Sequence, residues 1–358
     1  MIDMKNYLKI SCNTVFIMLG SACNLQCKYC IQHDIVEKLQ KTELNRDVIA
    51  FIKELAQRRE RKLRIVFYGG EPLLYLANIK EIISELQNEN VLFSMISNGK
   101  CLTTELVHYL NENKVHVAIS WDGVNSETTR GFDVVAEKEA TILLLNNLCF
   151  TGVMSNQNYV LDYINALDEF DKKYFLLHGY HISSNVDALM GTDGENSNLA
   201  KIDMQKVEAQ SEKICQEYEQ FVYGGTVSPM KEQFVLTLIS KLAGLEGKDY
   251  SAKMVCGNGY SVLNVDLQGN LYRCHNTRDC VGTIYDSYDG YINNVMKYDN
   301  TKENYKVCKE CSVYDLCRGG CPLVSHATRG EYYCNLKRAL YGPVIRLVKR
   351  LLQKGELL

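Results

Sequence analysis

The stretch 14–30, TVFIMLGSACNLQCKYC, joins a six-residue apolar run to a Gly-led loop that carries three cysteines. A short apolar run closed by a turn is how a strand buried on both faces reads. The figure returns at Leu63–Tyr68 followed by GGEP, at Val91–Ser97 followed by Asn98–Gly99, and at Val115–Ser120 followed by Trp121–Asp122–Gly123. Two further runs, Cys149–Met154 and Tyr174–Tyr180, complete the series. Between them Val48–Arg58, Ile79–Leu86, Thr104–Asn111, Lys138–Asn147 and Tyr159–Phe170 space their apolar residues as helices do. Alternation of this kind predicts an α/β fold with a parallel sheet, and six units predict a partial (β/α)6 TIM-like barrel rather than a closed one. In that architecture chemistry sits on the loops after the strands, where each Gly-rich or Cys-rich segment falls.

After Tyr180 the polar text HISSNVDALMGTDGENSNLAK reads as a loop, and Met204–Val222 and Lys231–Leu245 read as helices. A cysteine-rich region opens near Cys256, and the basic amphipathic stretch Leu336–Gln353 is predicted to pack back on the protein. The expected division is 1–200 barrel, 201–250 helical connection, 251–338 cysteine-rich domain and 339–358 terminal helix.

With 358 residues and 46% hydrophobic content the chain can bury a sizeable core. A net charge of −3 from 40 basic and 43 acidic residues, well mixed, argues against nucleic acid as a partner. No apolar run is long enough to span a membrane and no secretory signal opens the sequence, so a cytoplasmic protein is expected. Fifteen cysteines in such a chain point to metal, because the cytosol disfavours structural disulfides. Cys12, Cys101, Cys149 and Cys215 stand apart and read as small buried hydrophobes.

Cys23, Cys27 and Cys30 can hold three corners of a 4Fe-4S cube, which normally takes four thiolates, and no fourth cysteine lies nearby. Zinc is the alternative reading of a Cys-x2-Cys pair, but no second ligand pair follows before Cys101. CNLQCKYC together with Gly69–Gly70–Glu71–Pro72 one strand later resembles the signature of the radical S-adenosylmethionine enzymes. The resemblance implies that the free iron binds the cofactor's methionine and that electron transfer yields a 5′-deoxyadenosyl radical. It also implies that Glu71 meets the methionine ammonium and Tyr29 the adenine. Ser97, Asn98, Ser120 and Asp122 would border the ribose and methionine, although residues of these types also end strands as ordinary turn and cap residues.

Gly269-Asn-Leu-Tyr-Arg-Cys274, then Cys308, Cys311, Cys317 and Cys321 at gaps of two, five and three, and finally Cys334, are similar to the seven-cysteine SPASM domain. That resemblance implies two auxiliary 4Fe-4S clusters, three clusters in all. Cys256, Cys274 and Cys321 would hold the inner one and Cys308, Cys311, Cys317 and Cys334 the outer. Cys280 is the candidate for the inner cluster's fourth ligand, an iron open to substrate being the alternative. Zinc throughout the region is the other reading.

SPASM relatives act most often on peptides, crosslinking ribosomal peptides or oxidising a cysteine or serine in sulfatases. The sulfatase-maturing branch usually has Asp immediately after the second SPASM cysteine, whereas this chain has His275. The expectation is therefore a ribosomal-peptide maturase with His275 as a catalytic candidate, a hydrogen-bond donor to a cluster sulfur being its other role. Arg130 reads either as a clamp for a substrate carboxylate or as a surface salt bridge. Expected partners are a peptide or protein substrate and an electron donor such as flavodoxin or ferredoxin. About a dozen residues precede the first strand, so leader recognition is expected from a separate protein or the barrel surface. A sulfatase-maturing enzyme, a small-metabolite oxidoreductase and a non-catalytic iron–sulfur carrier are the alternatives.

Overall fold

The computed structural model describes residues 12–32, 43–57, 60–189, 198–243, 257, 259, 261–296, 308, 310–321, 324 and 332–356. Strands β1 (Thr14–Met18), β2 (Leu63–Tyr68), β3 (Val91–Ser97), β4 (His116–Ser120) and β5 (Leu148–Met154) fall on the first five apolar runs. Helices α1 (Arg46–Ala56), α2 (Leu76–Leu86), α3 (Thr104–Glu112), α4 (Ser126–Arg130), α5 (Val134–Ile142) and α6 (Val160–His178) lie between and after them. Their starts are fixed by side-chain caps: Asn45 accepts from the Asp47 N–H, Thr103 from Leu106 and Asp133 from Val135 and Ala136.

The sixth strand is not where the apolar pattern puts it. Tyr174–Tyr180 contains the last turn of α6, which runs on to His178 and ends at Gly179 in the left-handed region (φ 77°). Strand β6 is Ser183–Ala188, inside the polar stretch expected to be a loop. Among the described residues it is the edge of the sheet and pairs with β5 alone, without the second flanking strand that selects a continuous apolar run. Buried Asp171 leads the chain into it, accepting from the Ile182 N–H at 2.9 Å and lying 2.6 Å from His181 Nδ1.

Helices α7 (Met204–Val222) and α8 (Pro229–Ala243) precede the C-terminal third, where the described residues form β7 (Val262–Asp266), β8 (Asn270–Tyr272), β9 (Cys280–Thr283), α9 (Tyr288–Met296), α10 (Tyr314–Cys317) and α11 (Cys334–Gln353). Among the described residues one nine-stranded open sheet runs β6-β5-β4-β3-β2-β1-β7-β8-β9. The seven strands from β6 to β7 are parallel, with Val15 opposite Ile65 on one side and Leu263 on the other. Antiparallel β8 and β9 then carry the cysteine-rich region on the same sheet.

Helix α11 lies along α7. Leu336, Leu340, Val344, Leu347 and Leu351 are buried at helical spacing, and buried Ser211 donates to the Leu340 carbonyl at 2.8 Å. On the outer side Arg346 reaches Glu208 and Glu212 at 3.0 and 2.9 Å, and Arg350 reaches Glu219 at 2.9 Å. Exposed pairs of this kind contribute about 0–1 kcal/mol each, so the apolar stripe fixes the helix. No helix among the described residues is long and apolar enough to cross a membrane.

Phe150 of β5 is fully buried between Trp121 and Phe170, at ring distances of 5.3 and 4.9 Å. Phe150→Ala is expected to lower stability by about 3–5 kcal/mol, read as an earlier midpoint in urea unfolding.

Candidate active site at the C-terminal edge of the sheet

The loop after β1 is fastened to the loop after β2 backbone to backbone. Gly70 N–H donates to Gly20 O at 3.0 Å and Glu71 N–H to Ala22 O at 2.9 Å. A Cβ on Gly69 would stand 2.3 Å from Gly20 O, and one on Gly70 2.3 Å from Ala22 O. What the paired glycines admit at close range is thus the backbone of the cysteine loop itself. The Tyr75 hydroxyl completes the fastening by accepting from the Ala22 N–H at 3.1 Å.

Glu71 is fully enclosed. One oxygen accepts from the Leu73 N–H (3.0 Å) and the Ser97 hydroxyl (2.7 Å), the other from the Asn98 N–H (2.7 Å). Burial raises its pKa, and these three donors pull the other way. The carboxylate therefore ties the turn after β2 to the turn after β3. Asn98 extends the tie to the cysteine loop, its side-chain amide donating to Asn24 Oδ1 at 2.7 Å and facing Cys23 Sγ at 3.9 Å. Cys101, expected to be buried, is half-exposed and accepts from Asn24 Nδ2 at 3.2 Å, while Cys12, Cys149 and Cys215 are buried as expected.

Cys23, Cys27 and Cys30 are half-exposed at the tip of this loop. Burial pushes the Cys27 thiol up to about 11 against the pull of the Arg130 charge, with Cys30 and Cys23 adding to the rise. Burial raises the Cys23 thiol as well, and buried thiols of this kind are stabilised as thiolates by a cationic centre, which is what fits a metal cluster to the loop.

Asp122, after β4, is also fully buried, its carboxylate accepting from the Tyr29 hydroxyl at 2.6 Å, the Thr129 hydroxyl at 2.7 Å and the Val153 N–H at 2.9 Å. Arg130 is not on the surface. Its guanidinium donates to the Tyr29 hydroxyl and lies 3.8 Å from Asp122. Lys28 N–H donates to Thr129 O at 2.9 Å, so α4 grips the cysteine loop from below. Ser120 ends β4 at the same edge of the sheet.

The cysteine-rich region closes over β1 and β2. His275 stacks on Phe16 (4.2 Å, 10° between planes) and meets the Tyr68 ring edgewise at 4.6 Å. Its carbonyl accepts from Gln32 Nε2 at 3.0 Å, the Tyr68 hydroxyl donates to Asn276 Oδ1 at 2.6 Å, and Arg278 reaches Ser21 Oγ at 3.1 Å. Burial pushes the imidazole down to about 4, so the ring is neutral at neutral pH. Its Nδ1 is buried without a hydrogen-bond partner among the described residues. An orphaned ring nitrogen one residue after Cys274 suits an acceptor such as a cluster sulfur.

Cys308, Cys311, Cys317 and Cys334 are gathered closely enough to act on one another electrostatically. Burial pushes Cys317 up to about 11 against Lys337, with Cys334, Cys311 and Cys308 adding to the rise. Cys321 N–H donates to the Tyr333 hydroxyl at 3.3 Å. Cys280 is exposed at the start of β9, its thiol donating to Gly282 O at 3.3 Å. Cys256 lies outside the described residues. Among the described residues no three His, Cys, Asp or Glu groups converge as ligands of a single ion. A four-iron cube spreads its thiolates wider than one ion does. Asn24, Gln32, Phe16, Tyr68, Thr129 and Asn276 were not singled out from the sequence, because their partners lie on other strands.

A parallel sheet whose first strand ends in a three-thiol loop, held by glycines to the second, defines an α/β enzyme built around a thiolate-held cluster. The chain belongs to the radical SAM superfamily, whose family model matches residues 17–196. It is 27% identical over 334 residues to a cysteine-type anaerobic sulfatase-maturating enzyme of Clostridium perfringens, covering 84% of this chain and 86% of that protein. The radical SAM cyclopropyl synthase TigE of Paramaledivibacter caminithermalis is 29% identical over 173 residues, which cover 42% of this chain and 36% of that protein. Native anSMEcpe with bound AdoMet shares the fold at TM-score 0.69 and 19% identity, over 95% of this chain and 99% of that one. Streptococcus suis SuiB bound to precursor peptide SuiA does so at TM-score 0.60 and 12% identity, over 87% of this chain and 72% of that one.

Proposed function

We propose that the protein uses radical S-adenosylmethionine chemistry to modify a ribosomally made peptide. The observation that carries this reading is His275, a neutral ring set over Phe16 of β1 and Tyr68 of β2 where the sulfatase-maturing branch usually has Asp. Peptide-bound SuiB shares the fold, which is consistent with a peptide substrate. The whole-length similarity to sulfatase-maturating enzymes favours the second reading, oxidation of a sulfatase cysteine or serine. Mass spectrometry after turnover separates the two. A cysteine-type sulfatase peptide should stay unmodified, while a peptide encoded beside the gene should lose hydrogens; conversion of the sulfatase thiol to an aldehyde would overturn the proposal.

In this reading Cys23, Cys27 and Cys30 hold the cofactor-binding cluster. Cys308, Cys311, Cys317 and Cys334 hold the outer auxiliary cluster, and Cys256, Cys274, Cys321 and Cys280 the inner one. When bound, S-adenosylmethionine and the cluster supply a 5′-deoxyadenosyl radical that takes hydrogen from carbon. The chain's own contribution is position, since so reactive a species is selective only by where it is held. Tyr29, Gly69, Gly70, Pro72, Ser97, Asn98 and Ser120 form the cofactor's cradle, and Glu71 and Asp122 brace it from within. Arg130 lies behind Tyr29 and positions it. His275 is the candidate catalytic side chain from the cysteine-rich region, and a flavodoxin- or ferredoxin-type protein supplies the electron.

The inner cluster's fourth corner is open to test. Cys280→Ala is expected to alter the inner cluster's Mössbauer spectrum and slow turnover. An unchanged spectrum with full activity would assign that corner to a substrate thiolate instead.

A further inference from the structure

Arg130 carries a buried charge that its neighbours only partly balance. The residue is 9% exposed, and its ion pair with Asp122 spans 3.8 Å, beyond the ~2.7–2.9 Å of a charge-assisted hydrogen bond. Asp122 meanwhile spends its oxygens on the Tyr29 and Thr129 hydroxyls and the Val153 N–H. A desolvated cation with so distant a counter-ion is costly unless other negative charge is near. The fold brings such charge from the cysteine loop. Arg130 donates to Tyr29, which stands between Cys27 and Cys30, and its neighbour Thr129 accepts from the Lys28 N–H.

We propose that Arg130 sets the reduction potential of the cluster held by Cys23, Cys27 and Cys30, its fixed positive charge favouring the one-electron-reduced state. The inference rests on the reading that those three cysteines hold a cluster. Reduction adds one electron from an external low-potential donor, breaks no bond and moves no proton. A permanent cation in a poorly solvated setting stabilises the more negative product. Asp122 acts in the opposite sense, so the two residues predict shifts of opposite sign. Arg130 is thus a positioning residue in the electrostatic sense, contacting the cluster's loop and not the reacting atoms.

The test is the midpoint potential of the anaerobically reconstituted full chain, titrated with dithionite in the absence of S-adenosylmethionine and read by paramagnetic resonance. The signal is assigned by its absence from the Cys23→Ala/Cys27→Ala/Cys30→Ala variant. Arg130→Gln should weaken reduction at least tenfold, a downward shift of ~59 mV for a one-electron couple. Asp122→Asn should shift the potential upward. Arg130→Lys, which keeps the charge, should stay near the parent value. Should Arg130→Gln fail to hold the cluster, the upward shift in Asp122→Asn carries the test. An unshifted Arg130→Gln, a downward shift in Asp122→Asn, or a shift in Arg130→Gln seen only after S-adenosylmethionine is added would each overturn the inference. If instead the triple variant keeps the same signal, the assignment of the loop fails and not the role of Arg130.

Discussion

Replacing Cys23, Cys27 and Cys30 together by Ala is expected to abolish 5′-deoxyadenosine formation and to remove about four of about twelve iron atoms from anaerobically reconstituted protein. The three thiols are half-exposed at a loop tip, whereas the strand beneath them is anchored by buried Val15, Ile17 and Leu19. Their removal should therefore leave the fold intact. No other loop at this edge of the sheet presents three thiols among the described residues, so no substitute site is at hand. Iron content, circular dichroism and product chromatography check the three parts of the expectation. Persistent 5′-deoxyadenosine from the triple variant would contradict it.

Gly70→Ala is expected to cut cofactor cleavage by about 100-fold while leaving all the cysteines in place. Its new Cβ would meet Ala22 O at 2.3 Å, Ser21 O at 2.4 Å and the Ala22 carbonyl carbon at 2.6 Å, all backbone atoms. Backbone cannot swing aside as a side chain does, so the loop carrying Cys23 must move. Overpacking costs about 1–3 kcal/mol. Two hydrogen bonds, Gly70 N–H to Gly20 O and Glu71 N–H to Ala22 O, go with it, at about 0.5–1.5 kcal/mol each. A displacement of about 1 Å at a reacting centre can cost about 100-fold in rate. The check is the rate of 5′-deoxyadenosine release per bound iron, and a parent-like rate in Gly70→Ala would show that the fastening is dispensable.

The five inner strands were legible because strands flanked on both sides in a parallel sheet are written as continuous apolar runs. Edge strand β6 was not, since SSNVDA carries the polar composition of a loop and its apolar neighbour 174–178 finishes a helix. The placement of β7 beside β1 was equally hidden. Val262–Asp266 was not singled out, and nothing local says that it pairs with Thr14–Met18 nearly 250 residues earlier. That pairing is what brings His275 onto Phe16.

The site divides in the same way. Cys23, Cys27, Cys30 and Gly69–Pro72 are recognisable because each group is contiguous in sequence. Arg130 read as a substrate clamp or a surface ion pair because its partners, Tyr29 and the cysteine loop, lie about a hundred residues upstream. Glu71 was expected to face a ligand, yet its carboxylate accepts from Leu73, Ser97 and Asn98 within the protein. Which of those roles a buried carboxylate takes depends on donors from other strands, and spacing along one strand does not record them.

The most direct measurement is the fate of S-adenosylmethionine with the full chain, reconstituted anaerobically with iron and sulfide and reduced with dithionite. Methionine and 5′-deoxyadenosine should appear together in equal amounts. Intact S-adenosylmethionine in a fully reconstituted, reduced protein would contradict the account and leave an iron–sulfur carrier in its place.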